Sequence, residues 1–205
     1  MQLHASGDIE EGDEEIGDVG EAITNIAPDL RTIGLCGEID EEKVAELVAA
    51  FLLLRNSGIT QGLDTAINDP IEFVISTTGG SAHDMFTMYD IMRLAREDCE
   101  ITTVGLGKVM SAGVLLLAAG TKGSRKIGKN CRVMIHAVLG GHVGTLHNLE
   151  NEMDEIRWMQ EQYISALASE TDMTKRFWKK LIDKKVNIYL TAEEAVQYGI
   201  ADEVV

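Results

Sequence analysis

Aromatic residues are scarce in this chain, at 5% of its 205 positions. Leu, Ile, Val, Met and Ala must therefore fill most of any core. Cations are scarce too: 18 Lys and Arg stand against 34 Asp and Glu, for a net charge of −16. With no basic patch to displace counterions from phosphates, the composition argues against nucleic-acid binding. Cysteine is limited to Cys36, Cys99 and Cys131, an odd number in apolar, strand-like contexts. That pattern predicts buried free thiols in a reducing compartment rather than disulfides or a metal site. No apolar run reaches the roughly 20 residues that span a bilayer. The acidic N-terminus also lacks the apolar core of a secretion signal. A cytoplasmic protein without membrane contact or cofactor is the expectation.

What is present is organised in two parts. Residues 1–27 carry Asp8, Glu10, Glu11, Asp13, Glu14, Glu15, Asp18 and Glu21 with no Lys or Arg, half of the net charge. Such a segment reads as a solvated acidic arm. Residues 28–205 are long enough for one well-buried domain. Within them, short strands alternate with helical periods. Thr32–Cys36 reads as a strand, and Asp40 caps a helix that stops near Asn56-Ser57-Gly58. A loop over 58–70 leads to a strand at Ile71–Ser76, the turn Thr77-Thr78-Gly79-Gly80 and a helix with Met85, Met88, Ile91 and Met92 on its apolar face. Further strands are expected at Ile101–Gly107, Val133–Val138 and Ile200–Val205. A helix at Thr174–Asp183 and a capping box at Thr191/Glu194 precede the last of them. No domain boundary interrupts the alternation, which predicts one α/β domain.

The longest helix, about Thr145 to Glu170, carries Leu146, Leu149, Met153, Ile156, Met159, Tyr163 and Leu167 as one narrow apolar stripe. Such a stripe ordinarily packs on its own core. The alternative is that part of it leaves the body to meet another subunit.

Chemistry concentrates at Ser111 and His136. A strand, the small residues around Met110-Ser111-Ala112-Gly113 and a buried apolar helix would hold the serine oxygen at a helix N-terminus. A histidine closing a second strand could take its proton, the arrangement of an activated serine nucleophile. Read alone, Ser111 would be a helix cap and His136 a hydrogen-bonded core residue.

Their flanks decide between these readings. Thr78-Gly79-Gly80, Tyr89-Asp90-Ile91-Met92 and Met110-Ser111-Ala112-Gly113 occur in order. So do Leu116 to Gly123 with Arg125, Asn130 to His136, Gly140-Gly141 with Gly144, and Leu190 to Asp202. From about Arg31 onward the chain thus resembles the ClpP family, the proteolytic subunits of Clp protease. The resemblance implies a crotonase/ClpP-like spiral of repeated ββα units, with the helix near 145–170 as a protruding handle. It implies a serine endopeptidase acting on unfolded polypeptides inside a homo-oligomer of two stacked heptameric rings, fed by an AAA+ ATPase. Ser111 falls on the nucleophile and His136 on the general base. The backbone N–H groups of Gly80 and Ala112 fall on the oxyanion hole, and Gly79, Gly80, Leu139 and Gly140 on the substrate path.

Three departures accompany the resemblance. Asn187 stands where the family has its catalytic acid; it can hold an imidazole but cannot offset the imidazolium charge, which implies slower turnover. Asp183 is an alternative third member on a helix end. Val186 replaces a ring-bridging Arg, and the acidic arm replaces a mixed-charge, aromatic-containing pore segment. Two other readings follow: a weak or silent ring subunit in a mixed assembly, and a crotonase-fold acyl-CoA enzyme. A Ser–Lys peptidase using Lys108 is less favoured, because a surface role is expected of that lysine.

Overall fold

The computed structural model describes residues 30–57, 68–141, 143–184 and 186–205. The acidic arm and most of the expected 58–70 loop lie outside the described residues. From Arg31 the order is β1 (Thr32–Ile39), α1 (Glu41–Ser57), β2 (Asn68–Gly80), α2 (Ala82–Ala95), β3 (Cys99–Met110), α3 (Ala112–Ala118), β4 (Arg125–Ile127) and β5 (Arg132–Ile135). Then follow α4 (Leu146–Glu170), α5 (Lys175–Ile182), β6 (Ile188–Leu190), α6 (Ala192–Gln197) and β7 (Glu203–Val204). The result is the mixed α/β domain that the alternation predicts.

The caps fall where the side chains ask for them. Asp40 Oδ1 accepts from Lys43 N at 2.9 Å to start α1. Thr145 and Thr174 cap α4 and α5, and the Thr191/Glu194 box opens α6 with both reciprocal bonds made. The first three strands run longer than the apolar runs suggest, whereas β5 stops at Ile135, short of the expected Val138. β2 begins at Asn68, so Asn68–Pro70 is strand and not loop, with Pro70 inside a register shift against β3, where its missing N–H costs least. The last strand is shorter than expected, because Asp202 turns aside to meet Arg125.

Parallel pairing runs β1-β2-β3-β4-β7. β3 is the branch point. Its residues Thr103–Gly105 pair with β4, whereas Lys108–Met110 pair with β5, which in turn takes β6 antiparallel. Between the two pairings lies Gly107 at φ 66°, a backbone conformation that favours glycine. This branching brings the ends of β3 and β5 side by side.

Alternate residues of β2 and β3 (Ile71, Phe73, Ile75; Ile101, Thr103) are buried beneath the helices, with Phe51 edge-on to Phe73 at 5.4 Å between centroids. Cys99 and Cys131 are buried free thiols as expected, and burial pushes the Cys131 thiol up to about 11. Cys36 is a correction: it is exposed, because it alternates with buried Leu35 on the other face of β1. In α4 the stripe divides. Met159, Tyr163 and Leu167 are buried, while Leu146 (67%) and Met153 (52%) stand open to solvent. Among the described residues no helix is long and apolar enough to cross a membrane.

Candidate active site

β3 ends at Met110 and α3 begins at Ala112, so Ser111 alone makes the turn between strand and helix. Its backbone lies at φ 53°, ψ −121°, and it is the only non-glycine with positive φ among the described residues. Such a conformation costs of order 1–3 kcal/mol and persists only where the surroundings enforce it. They do so from two sides. Ser111 N donates to Met134 O on β5 at 2.7 Å, and the Tyr163 hydroxyl of α4 donates to Ser111 O at 3.0 Å. Burial pushes the Tyr163 phenol far above its ordinary value, so it stays a donor across the working pH range. The Ser111 hydroxyl caps nothing, and no hydrogen bond engages it among the described residues. The reading of Ser111 as a helix cap is therefore set aside.

The glycine turn packs directly behind the serine. Thr77 Oγ1 donates to Gly37 O at 2.5 Å and accepts from Gly79 N at 3.0 Å, which fixes the bend. Gly79 sits at φ 91°, and a Cβ there would lie 2.6 Å from Ser111 Cβ and 2.9 Å from Met110 O. A Gly79→Ala protein is expected to lose about 2 kcal/mol of stability from strain and overpacking. Its hydrolysis should fall about 10²-fold, because the serine must shift. Urea unfolding beside a peptidase assay measures both; unchanged turnover would show that the turn does not position Ser111.

His136 follows β5 and is half-buried. Its Nδ1 lies 2.5 Å from Ala137 O. A carbonyl can only accept, so Nδ1 carries the proton and Nε2 of the neutral ring is left with its lone pair. Asn187 lies one position beyond the last β5–β6 pair, Ile135↔Ile188, so the backbone brings it opposite His136. Its exposed side chain makes no hydrogen bond to the ring among the described residues. Asp183 ends α5, beside Lys179. Lys108 is exposed on β3.

Gly80, Ser111, Ala112, His136, Leu139 and Tyr163 line one cavity of about 360 Å³. Gly79 backs it without lining it, and Gly140 packs on Ile156 of α4. Ala112 opens α3, so its N–H has no acceptor within that helix. Tyr163 and Glu38 are among the lining residues that the sequence does not mark as part of a site. Tyr163 belongs to the apolar stripe of α4, and its hydroxyl is the signal that sets it apart from the other members. Glu38, next to Gly37 in β1, has no motif that marks it. A wider depression of about 790 Å³ lies between α2 and α4, and two of its charged groups, Arg96 and Glu170, are paired with each other. Arg96 grips Glu170 through two 2.8 Å bonds, and Tyr89 donates to the same carboxylate at 2.8 Å.

A serine with a free hydroxyl, a histidine with a free Nε2 and a helix-opening N–H around one cavity have the parts of a hydrolase site on an α/β scaffold. Comparison with known proteins supplies the family. The Clp protease family model matches residues 15–205. The chain is also 36% identical over 175 residues to "ATP-dependent Clp protease proteolytic subunit 2" of Corynebacterium jeikeium, covering 85% of this chain and 78% of that protein. The chain belongs to the Clp protease family and is a peptidase.

Proposed function

We propose that this chain is a serine endopeptidase subunit that hydrolyses unfolded polypeptides inside a ring-shaped chamber. The observation that carries the reading is the strained, uncapped Ser111 sharing a cavity with a histidine whose Nδ1 is already committed. Ser111 Oγ attacks the scissile carbonyl carbon while its proton passes to His136 Nε2. The oxyanion that forms is met by the N–H groups of Ala112 and Gly80, each worth about 10²–10³ in turnover. Collapse breaks the C–N bond, and the leaving amine takes the proton from the imidazolium. Water, deprotonated by the same nitrogen, then cleaves the ester and restores the serine. Leu139 and Gly140 flank the path of the substrate backbone past Gly79-Gly80.

Asn187 is the proposed third member. Its amide oxygen can accept from Nδ1–H once the ring leaves Ala137 O, but it adds no charge to balance the imidazolium. Turnover slower than that of an acid-bearing relative follows. A weakly active ring subunit in a mixed assembly is the second reading, favoured by the missing Asn187–His136 bond.

The branched β3 supports the crotonase/ClpP-like spiral, and the exposed first half of α4 supports its role as a handle between stacked heptameric rings. Val186 is exposed where the family places a ring-bridging Arg, so ring pairing here rests on the handle. An AAA+ unfoldase as partner and a cytoplasmic setting complete the proposal.

The test is labelling of the assembled protein with a serine-directed fluorophosphonate, followed by peptide mass mapping. An adduct at Ser111 is expected, and none should form when the protein is denatured before the reagent is added. Absence of the adduct would overturn the assignment.

A further inference from the structure

We infer that Glu38 selects for a basic side chain next to the scissile bond, so that the preferred substrates carry Lys or Arg there. The inference rests on the peptidase reading above and names its substrate class. β1 and β2 pair in parallel until the register slips between Gly37 and Glu38: Gly37 faces Thr77, but Glu38 faces Gly79. Thr78 is the extra residue, and such a bulge re-aims the side chains around it. Glu38 is thereby set across from the glycine on which Ser111 packs, and it lines the same cavity.

Its carboxylate is available. Lys43 Nζ donates to the Glu38 carbonyl at 2.9 Å and pairs with Asp40 at 3.6 Å, leaving the Glu38 carboxylate itself. Among the described residues that carboxylate has no hydrogen bond or ion pair. No Lys, Arg or second carboxylate lines the cavity, whose remaining walls include Ala82, Met85, Val138 and Leu139. A long aliphatic stem ending in a cation satisfies both the apolar walls and the exposed charge. An apolar side chain satisfies the walls alone, and an acidic one meets a like charge.

The experiment uses the assembled protein and two peptide series, with Lys, norleucine or Glu placed immediately before or after the cleaved bond. In one series kcat/KM for Lys should exceed that for Glu by about five- to thirtyfold at low salt. The ratio should shrink as salt screens the pair. E38Q should bring it to within about twofold, and E38K should invert it. The ratio is read rather than the rate, so a general loss of activity in a variant cancels. A Lys-to-Glu ratio identical in the native protein and E38Q, with cleavage and the Ser111 adduct intact, overturns this inference alone. Failure of both adduct and cleavage overturns the peptidase reading and this one with it.

Discussion

Replacing Ser111 with Gly is expected to give a protein that is more stable than its Ser111→Ala counterpart and equally inactive. Both substitutions delete the proposed nucleophile, and the loss in kcat should be about 10⁴–10⁶-fold, the scale seen when a serine nucleophile is removed. They differ in backbone. At φ 53°, ψ −121° an alanine inherits the strain that the serine bears, whereas glycine adopts this region freely. Relief of about 1–3 kcal/mol is set against the extra freedom glycine gains in the unfolded chain, about 0.5–1 kcal/mol. A net advantage of about 1 kcal/mol for the glycine variant follows. Because the hydroxyl makes no hydrogen bond, its loss adds no compensating penalty. Urea unfolding of the two variants at one pH reads the difference directly. Equal stability would mean that the turn is not strained, and hydrolysis retained by either variant would remove Ser111 from the mechanism.

The proposed function gives this strain a use: a hydroxyl at a tight strand-to-helix turn is lifted clear of the helix it opens. The neighbouring residues reveal how far this was legible in the sequence. Met110-Ser111-Ala112-Gly113, the glycine turn and the strand before His136 are local patterns, and the structure places each beside the cavity. Caps at Asp40 and Thr191 are likewise local and were legible. The third partner of His136 was not. A backbone carbonyl leaves no mark on a sequence, so nothing announced that Ala137 O would meet Nδ1. Glu38 was hidden for a related reason, since only the register slip after Gly37 sets it across from Gly79. The split in the α4 stripe is a third case. Periodicity reports that a face is apolar, but not what lies opposite it. Leu146 and Met153 are therefore indistinguishable from Met159 and Leu167 until the body is seen to end between them.

Removing the Arg125 side chain is expected to cost about 3 kcal/mol and to flatten the acid limb of the stability curve. Arg125 is 2% exposed. Its Nε and Nη2 grip Asp202 at 2.9 and 2.5 Å, while Nη1 donates to Ala118 O at 3.2 Å and Glu170 O at 2.6 Å. Arg125→Met would leave a carboxylate and two carbonyls without this donor, and breaking a buried pair from one side costs about 3–5 kcal/mol. The lower end applies because Asp202 retains 24% exposure to water. Desolvation pushes the Asp202 carboxyl up, but hydrogen bonds from the Arg125 side chain and backbone outweigh it and hold the group below its usual range. The folded state thus releases the proton more readily than the unfolded chain. Its contribution is complete above the unfolded value near 3.9 and is lost as pH falls through the folded one. Without the guanidinium, desolvation remains and that dependence weakens or reverses. Urea midpoints between about pH 3 and pH 6 should therefore converge at low pH for the native and Arg125→Met proteins. Parallel curves would mean that the pair is not linked to protons in this way. The same substitution reaches the candidate site without touching it. Ala118 ends the helix that Ser111 opens, and Glu170 ends the helix whose Tyr163 holds the Ser111 carbonyl. Arg125 is the cation that binds those two helix ends together, so its loss should slow hydrolysis well before the fold is lost.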